Sequence, residues 1–335
     1  MEKKVAVIGA GSWGTTMAIC LADKGTQVQL WDRRPERARQ MNKERVNDQY
    51  LPGVNLPPSI VVTSDLQAAV SNNKVVVMAV PSHAMREVCQ AIAGWVRPDQ
   101  YFITLSKGIE NDTLKRMSEI IAEILNLPAE RIATLSGPSH AEELSRKIPT
   151  AVVVASVSLD TARRARELFR SNYLRVYSSN DITGVEVGGA LKNVIAIAAG
   201  ICDGAGFGDN TKAALLTRAL AEITRCGMVL GARAETFAGL SGMGDLIVTC
   251  MSRHSRNRFV GEQVGRGLSL DQVLEKMTMV AEGIKTTRSV HQLAQKVGVE
   301  MPIAEEVYQV LFHNKKPQKG VYDLMTRDPK EEQFS

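Results

Sequence analysis

Apolar positions along this chain fall into short runs in its first half and into helical spacing in its second. The first run, Val5-Ala6-Val7-Ile8, leads directly into glycines at 9, 11 and 14 and then a helical pattern over 15–24. Similar runs recur at 28–31, 60–63, 75–80, 102–105, 133–135, 151–155 and 174–177. Unbroken aliphatic runs of this length predict strands covered on both faces, whereas one-sided strands would alternate with polar residues. Helical patterns at 35–45, 83–92 and 114–125 lie between several of them. The alternation predicts a doubly wound, largely parallel sheet. The stretch 52–58, with three prolines and a glycine, reads as a loop.

Beyond Ser179 the strand pattern stops. Helical spacing follows at 185–199, 210–227, 256–265, 270–276, 286–296 and 303–311, which predicts an all-α second domain. The 335 residues suit two domains, expected at 1–180 and 181–335. The charged tail after Asn314 is expected to pack loosely. The longest apolar stretch, 185–201, is interrupted by Glu186, Lys192 and Asn193, so it reads as a buried helix and not a membrane span. Its apolar face is also expected to help form a homodimer.

Composition narrows the function. A formal charge of +5 without a basic block or aromatic-interleaved patch argues against nucleic acid and permits a small anionic substrate. The five cysteines (20, 89, 202, 226, 250) form no C-x-x-C pair and the five histidines show no ligand spacing. Reduced thiols, no metal and a cytoplasmic location are expected. The strand at the N-terminus leaves no room for a signal peptide.

The chemistry begins at Gly9-Ala10-Gly11-Ser12-Trp13-Gly14. In a strand–turn–helix setting Gly9 permits the tight turn, Gly11 admits a pyrophosphate close to the backbone and Gly14 lets helix pack on strand. This predicts a Rossmann-type dinucleotide site; a tight turn that binds nothing is the alternative. Asp32 closes the second strand, where an acid bonds ribose hydroxyls and favours NAD. Arg33 and Arg34 beside it suit a 2′-phosphate, so both NADH and NADPH are expected to be accepted. Ligands of such sheets lie beyond the carboxyl ends of the strands, which directs attention to 80–83, 106–108 and 136–141. Ser139 with Glu142 three residues on predicts a capped helix start. In the second half, Lys192 stands in an apolar helix behind Gly188-Gly189, where a buried ammonium needs a reason. A glycine-dense turn delivers Asp245, and Ser255-Arg256-Asn257 opens a helix with groups suited to phosphate.

Six motifs then occur in order: Gly-Ala-Gly-Ser-Trp-Gly-Thr, Ser-Lys-Gly-Ile-Glu, Leu-Ser-Gly-Pro-Ser-His-Ala, Glu-Val-Gly-Gly-Ala-Leu-Lys-Asn-Val, Gly-Met-Gly-Asp-Leu and Ser-Arg-Asn-Arg. From Val5 to about Leu311 the chain resembles the bacterial-type NAD(P)-dependent glycerol-3-phosphate dehydrogenases. The resemblance implies reduction of dihydroxyacetone phosphate to sn-glycerol 3-phosphate, the phospholipid backbone precursor. It implies that Lys192 transfers the proton and that Lys107, Gly137, Ser139, Asp245, Ser255, Arg256 and Asn257 contact substrate. Ser12, Trp13, Arg33, Ala141, Arg256, Val280 and Glu282 match cofactor contacts, to which position adds Gly9, Gly11, Gly14, Arg34 and Lys107. The role of Ala281-Glu282-Gly283 rests on resemblance alone.

Reduction needs a proton for the alkoxide formed at C2, and lysine is ordinarily protonated near neutral pH. Oxidation needs it neutral, so reduction is expected to meet less resistance. His140 is the rival donor. Two other readings stand beside this one: a related dehydrogenase for a hydroxy acid, sugar acid or hydroxyacyl thioester, and a non-catalytic NAD(P)H sensor. The Ser255-Arg256-Asn257 turn argues against the thioester and would be left without a partner by a short hydroxy acid, and the sensor reading makes Lys192 and Asp245 incidental.

Overall fold

A computed structural model of the chain describes residues 3–277, 281–329 and 331–332. The chain divides into two compact units, Met1–Lys107 with Met117–Ile182, and Gly108–Arg116 with Thr183–Ser335.

The sheet unit holds strands β1 (Lys4–Ile8), β2 (Gln27–Trp31), β3 (Val46–Asn47), β4 (Leu51–Asn55), β5 (Ile60–Thr63), β6 (Val75–Met78), β7 (Tyr101–Thr104), β8 (Ile132–Ser136), β9 (Thr150–Ala155) and β10 (Leu174–Ser179). Eight of them form one sheet in the order β10-β9-β8-β7-β6-β1-β2-β5. All its neighbours pair parallel except β8 with β9. Around it lie α1 (Ser12–Ala22), α2 (Pro35–Glu44), α3 (Leu66–Ser71), α4 (Met85–Ile92), α5 (Met117–Leu125), α6 (Ala141–Leu144) and α7 (Leu159–Phe169). The unbroken apolar runs have their reason here. Along β1, Val5 and Val7 enter one core layer with Met17, Leu21 and Phe169, and Ala6 and Ile8 enter the other with Met85, Phe102 and Ile120. Strand order reverses at β1, with β2 on one side and β6 on the other, so the glycine turn leaves the sheet at its switch point.

One expectation of a loop is corrected. The proline-rich stretch contains β4, paired antiparallel with β3 in a two-stranded ribbon apart from the main sheet. Pro52 and Gly53 are tolerated there because such a ribbon is edge on both sides.

The helical unit comprises α8 (Ile182–Gly204), α9 (Asp209–Val229), α10 (Ala234–Phe237), α11 (Asp245–Met251), α12 (Arg256–Gly265), α13 (Leu270–Glu275), α14 (Glu282–Val297), α15 (Pro302–Phe312) and α16 (Pro317–Met325). By length and hydropathy α8 is long enough to cross a membrane, but its apolar window is fully buried by the chain itself. Ile195, Ile197 and Ile201 are at most 6% exposed, buried by the chain itself. Gly200 and Gly204 of α8 meet Gly261 and Gly265 of α12 backbone to backbone: a Cβ on Gly261 would lie 1.9 Å from the Ile197 carbonyl oxygen, and one on Gly204 2.0 Å from that of Glu262.

Two further expectations change. The part of the tail over 315–325 is not loose: α16 packs Leu324 against the helical core, and Lys315 pairs with Asp323 at 2.8 Å. Residues 108–116, expected inside the first domain, fold with the helical unit. There Arg116 pairs with buried Glu186 at 2.7 Å, and Ser289 donates to the Ile109 carbonyl at 2.9 Å.

Candidate active site

The glycine turn is held by contact. Gly9 has φ +119°, and a Cβ there would lie 2.6 Å from the Ala79 carbonyl oxygen. A Cβ on Gly14 would lie 1.9 Å from the Gly9 carbonyl oxygen. At Gly11 a Cβ would meet no protein atom within 4 Å. The middle glycine is therefore not required by the protein's own packing, and its bare face borders open space at the start of α1. Gly11 caps that helix with no side chain, and the first turn carries no acid. The first N–H groups of a helix lack intrahelical partners and carry partial positive charge. A pyrophosphate fits this cradle, with Ser12 and Trp13 in the first turn.

At the end of β2 the expected ribose acid is otherwise engaged. Asp32 is 4% exposed; one carboxylate oxygen pairs with the Arg37 guanidinium and the other accepts the Arg34 backbone N–H at 2.9 Å. Arg37 also donates to the Ala10 carbonyl at 2.7 Å and to Asn47 Oδ1 at 2.6 Å, over the Tyr50 ring. Arg33 is exposed and makes no ion pair among the described residues. The partly exposed Arg34 guanidinium donates to Gln49 at 3.1 Å.

The loops after β7 and β8 come together. Lys107 Nζ donates to the Gly137 carbonyl at 3.1 Å, and Ser139 Oγ donates to the same oxygen at 2.8 Å. Gly137 has φ +133°, and a Cβ there would lie 3.0 Å from Val152 Cα. The expected cap is corrected: α6 starts at Ala141 behind His140, with no side-chain cap bond, because the Ser139 hydroxyl turns back to Gly137. Thr16 of α1, whose Oγ1 donates to the Ser12 carbonyl at 2.9 Å, also lies 3.3 Å from the Ala141 carbonyl oxygen, which sets the start of α6 beside the helix of the glycine turn.

In the helical unit Lys192 is buried, with Nζ 2.6 Å from Asp245 Oδ1 and 2.7 Å from Thr249 Oγ1. Thr249 donates its own proton to the Asp245 backbone carbonyl at 2.6 Å, leaving its oxygen lone pairs toward the ammonium. The glycines explain the delivery of the acid. A Cβ on Gly188 would lie 2.6 Å from the Ser241 carbonyl oxygen, and one on Gly242 would lie 2.0 Å from that of Phe237. Only with both bare can the wide π-helical turn Leu240–Gly244 lie against α8 and bring Asp245, at the start of α11, to Lys192. Thr249 is a functional candidate that the sequence reading missed. Its signal was spacing, since positions i and i+4 share a helix face.

Ser255 caps α12, accepting the Arg258 N–H at 3.2 Å, and Arg256 stands exposed at the first helical position without an ion pair among the described residues. Asn257 is buried, donates to Asn193 Oδ1 at 2.9 Å and accepts the Gly283 N–H at 2.9 Å. Its side chain ties α12 to the residue after Lys192 and to the start of α14, leaving its backbone N–H as the group at the helix end. A Cβ on Gly283 would lie 2.7 Å from the Asn193 carbonyl oxygen, which gives the Ala281-Glu282-Gly283 segment a packing reason that sequence could not supply. Glu282 opens α14, and Val280 lies outside the described residues.

A parallel sheet with an open glycine cradle at its switch point, joined in one chain to a helical unit bearing a buried lysine–aspartate pair, defines a dinucleotide-dependent oxidoreductase. Residues 4–162 match the model of the NAD-dependent glycerol-3-phosphate dehydrogenase N-terminus and residues 181–322 that of its C-terminus. The chain belongs to the NAD-dependent glycerol-3-phosphate dehydrogenase family. Over 331 residues it is 52% identical to the glycerol-3-phosphate dehydrogenase (NAD(P)+) of Chlorobium phaeobacteroides strain BS1, covering 98% of this chain and 99% of that one. The crystal structure of glycerol-3-phosphate dehydrogenase from Coxiella burnetii superposes with TM-score 0.93 at 36% identity, covering 97% of this chain and 99% of that one. A D-mandelate dehydrogenase bound to NADH and anilino(oxo)acetate, at 16% identity and TM-score 0.61 over 96% of this chain and all of its own, shares the fold alone.

Proposed function

We propose that the chain catalyses the reversible NAD(P)H-dependent reduction of dihydroxyacetone phosphate to sn-glycerol 3-phosphate, the backbone precursor of glycerophospholipids. The observation that carries this is the buried Lys192 ammonium held at 2.6 Å by Asp245 in a chain of this family. When bound, the nicotinamide supplies the hydride that reaches C2 of the substrate. Lys192 donates the proton that the C2 oxygen takes up in reduction and receives it in oxidation. Asp245 and Thr249 orient the ammonium and compensate its charge away from water.

Arg256, the Ser255-capped helix start and the Asn257 N–H bind the substrate phosphate, where helix dipole and guanidinium act together. Lys107, Gly137 and Ser139 are assigned to the substrate as well. Ser12, Trp13, Gly9, Gly11 and Gly14 hold the pyrophosphate, and Arg33 and Arg34 the adenosine end. Lys107, Ala141, Arg256, Val280 and Glu282 complete the cofactor contacts by family pattern. A cytoplasmic location fits the five cysteines, all buried and none in a disulfide.

The test follows oxidation of NADH and NADPH with dihydroxyacetone phosphate, using unphosphorylated dihydroxyacetone as control. Phosphate-dependent turnover is expected. Lys192→Ala should lower kcat by about 10²-fold or more, the usual worth of a positioned acid. Retained turnover in that variant, with loss in His140→Ala, would move the proton donor to His140.

A further inference from the structure

We propose that Arg37 is a specificity-determining residue for the cofactor: by occupying Asp32 it converts the end of β2 from a ribose-hydroxyl acceptor into a site that takes a 2′-phosphate. This rests on the dinucleotide reading above and extends it to a residue that neither motif nor family pattern singled out.

A carboxylate at this place in the fold ordinarily accepts from the adenosine ribose, and an uncompensated one repels a phosphate on the 2′ oxygen. Here both oxygens of Asp32 are taken, one by the Arg37 guanidinium and one by the Arg34 N–H at 2.9 Å. The Arg34 Nε lies a further 3.6 Å from the same carboxylate. Arg37 cannot swing away without cost. Its side chain is 11% exposed, it donates to the Ala10 carbonyl and to Asn47 Oδ1, and its guanidinium lies 4.4 Å from the centre of the Tyr50 ring. Asn47 in turn donates to the Ala10 carbonyl at 3.1 Å and to Thr15 Oγ1 at 2.7 Å.

The guanidinium thus joins the glycine turn, through the carbonyl between Gly9 and Gly11, to the acid that closes β2. The four side chains Asp32, Arg33, Arg34 and Arg37 carry a formal charge of +2, with the sole acid buried against a cation and Arg33 exposed. Charge of this sign favours the phosphorylated ribose over the bare one. The same architecture with Arg37 removed would leave Asp32 to Arg34 alone and move the preference toward the bare ribose.

Dissociation constants for NADPH and NADH, measured by calorimetry without substrate so that turnover does not enter, test the inference. Arg37→Met should shift their ratio toward NADH by about tenfold or more, since an acid left with Arg34 alone then faces the 2′-phosphate with less of its charge compensated. Arg37→Lys, which keeps the charge, should hold the ratio near that of the unmodified chain. Combining Arg37→Met with Asp32→Asn should return it toward NADPH. Equal weakening of both cofactors in Arg37→Met, with no return in the double variant, would overturn the inference and leave Arg37 as a brace for the turn. An unmodified chain that bound neither nucleotide would overturn the dinucleotide reading itself, and the inference with it.

Discussion

Lys192 shows how a charge is tolerated in an apolar helix. Removing an ammonium from water costs several kcal/mol, which a carboxylate and a hydroxyl at hydrogen-bond distance offset only with good geometry. Asp245 and Thr249 meet that condition at 2.6 and 2.7 Å. Thr249 also fixes its own rotamer by donating to the Asp245 carbonyl, so its lone pairs are preset toward the ammonium. Thr249→Val preserves shape and deletes the hydroxyl. It should lower kcat by about 10- to 100-fold, the loss of one hydrogen bond to a charged group being worth about 1.5–3 kcal/mol. Thr249→Ser should restore most of it. Unchanged kcat in the valine variant would confine Thr249 to packing. Asp32 is the converse case: an acid in the position of a ligand that is consumed by its own neighbours.

Helix packing places these residues. The α8–α12 crossing rests on Gly200, Gly204, Gly261 and Gly265, spaced by four on each helix so that both bare faces coincide. Backbone contact of this kind brings the α12 N-terminus to Asn193 through Asn257. Propensity alone predicts that Gly261→Ala stabilises α12 by about 1 kcal/mol. The structure predicts the opposite sign, because the new Cβ would lie 1.9 Å from the Ile197 carbonyl oxygen. A loss of about 1–3 kcal/mol is expected in urea denaturation, the usual range for overpacking. The KM for dihydroxyacetone phosphate should rise as Ser255, Arg256 and Asn257 shift. A stabilised variant with unchanged KM would mean that the crossing is looser than described.

Stability of the whole molecule should carry a pH dependence traceable to Glu222. This carboxylate on α9 accepts the Ile303 N–H at 2.9 Å at the start of α15, where the capping position holds Met301 and offers no oxygen. Burial pushes its pKa up to about 7, against the lowering effect of the N–H groups and of Arg225 and Arg327. Between the ordinary value of 4.5 and about 7 the folded chain therefore holds a proton that the unfolded chain has lost. The contribution is complete below the unfolded value and fades as pH rises through the folded one. At 1.36 kcal/mol per unit this amounts to at most about 3 kcal/mol. Denaturation midpoints should fall between pH 5 and pH 8, and Glu222→Gln, which still accepts the Ile303 N–H, should flatten that slope. An identical slope in the variant would assign the effect elsewhere.

The strands of the main sheet, the glycine turn and most helices were legible because each is a local pattern: apolar runs buried on two faces, a glycine spacing, a period of 3.6. Lys192 was legible because a charge among aliphatic residues contradicts its surroundings. The β3–β4 ribbon was not, since its proline and glycine mimic a loop and its pairing is stated nowhere in the local pattern. Nor was α16, whose charged surface hides one buried glycine and one packed leucine. Ser139 satisfied the spacing of a cap and spent its hydroxyl on Gly137 instead. Asp32 satisfied the spacing of a ribose acid, but Arg37 reaches it because the carbonyl of Ala10 and the amide of Asn47 hold the guanidinium there. Order along the chain names the groups that carry chemistry and the elements that bear them. What those groups present to a ligand depends on neighbours distant in sequence, because a guanidinium bonded to Asp32, or a carboxylate 2.6 Å from Lys192, sets the charge and orientation that each group shows.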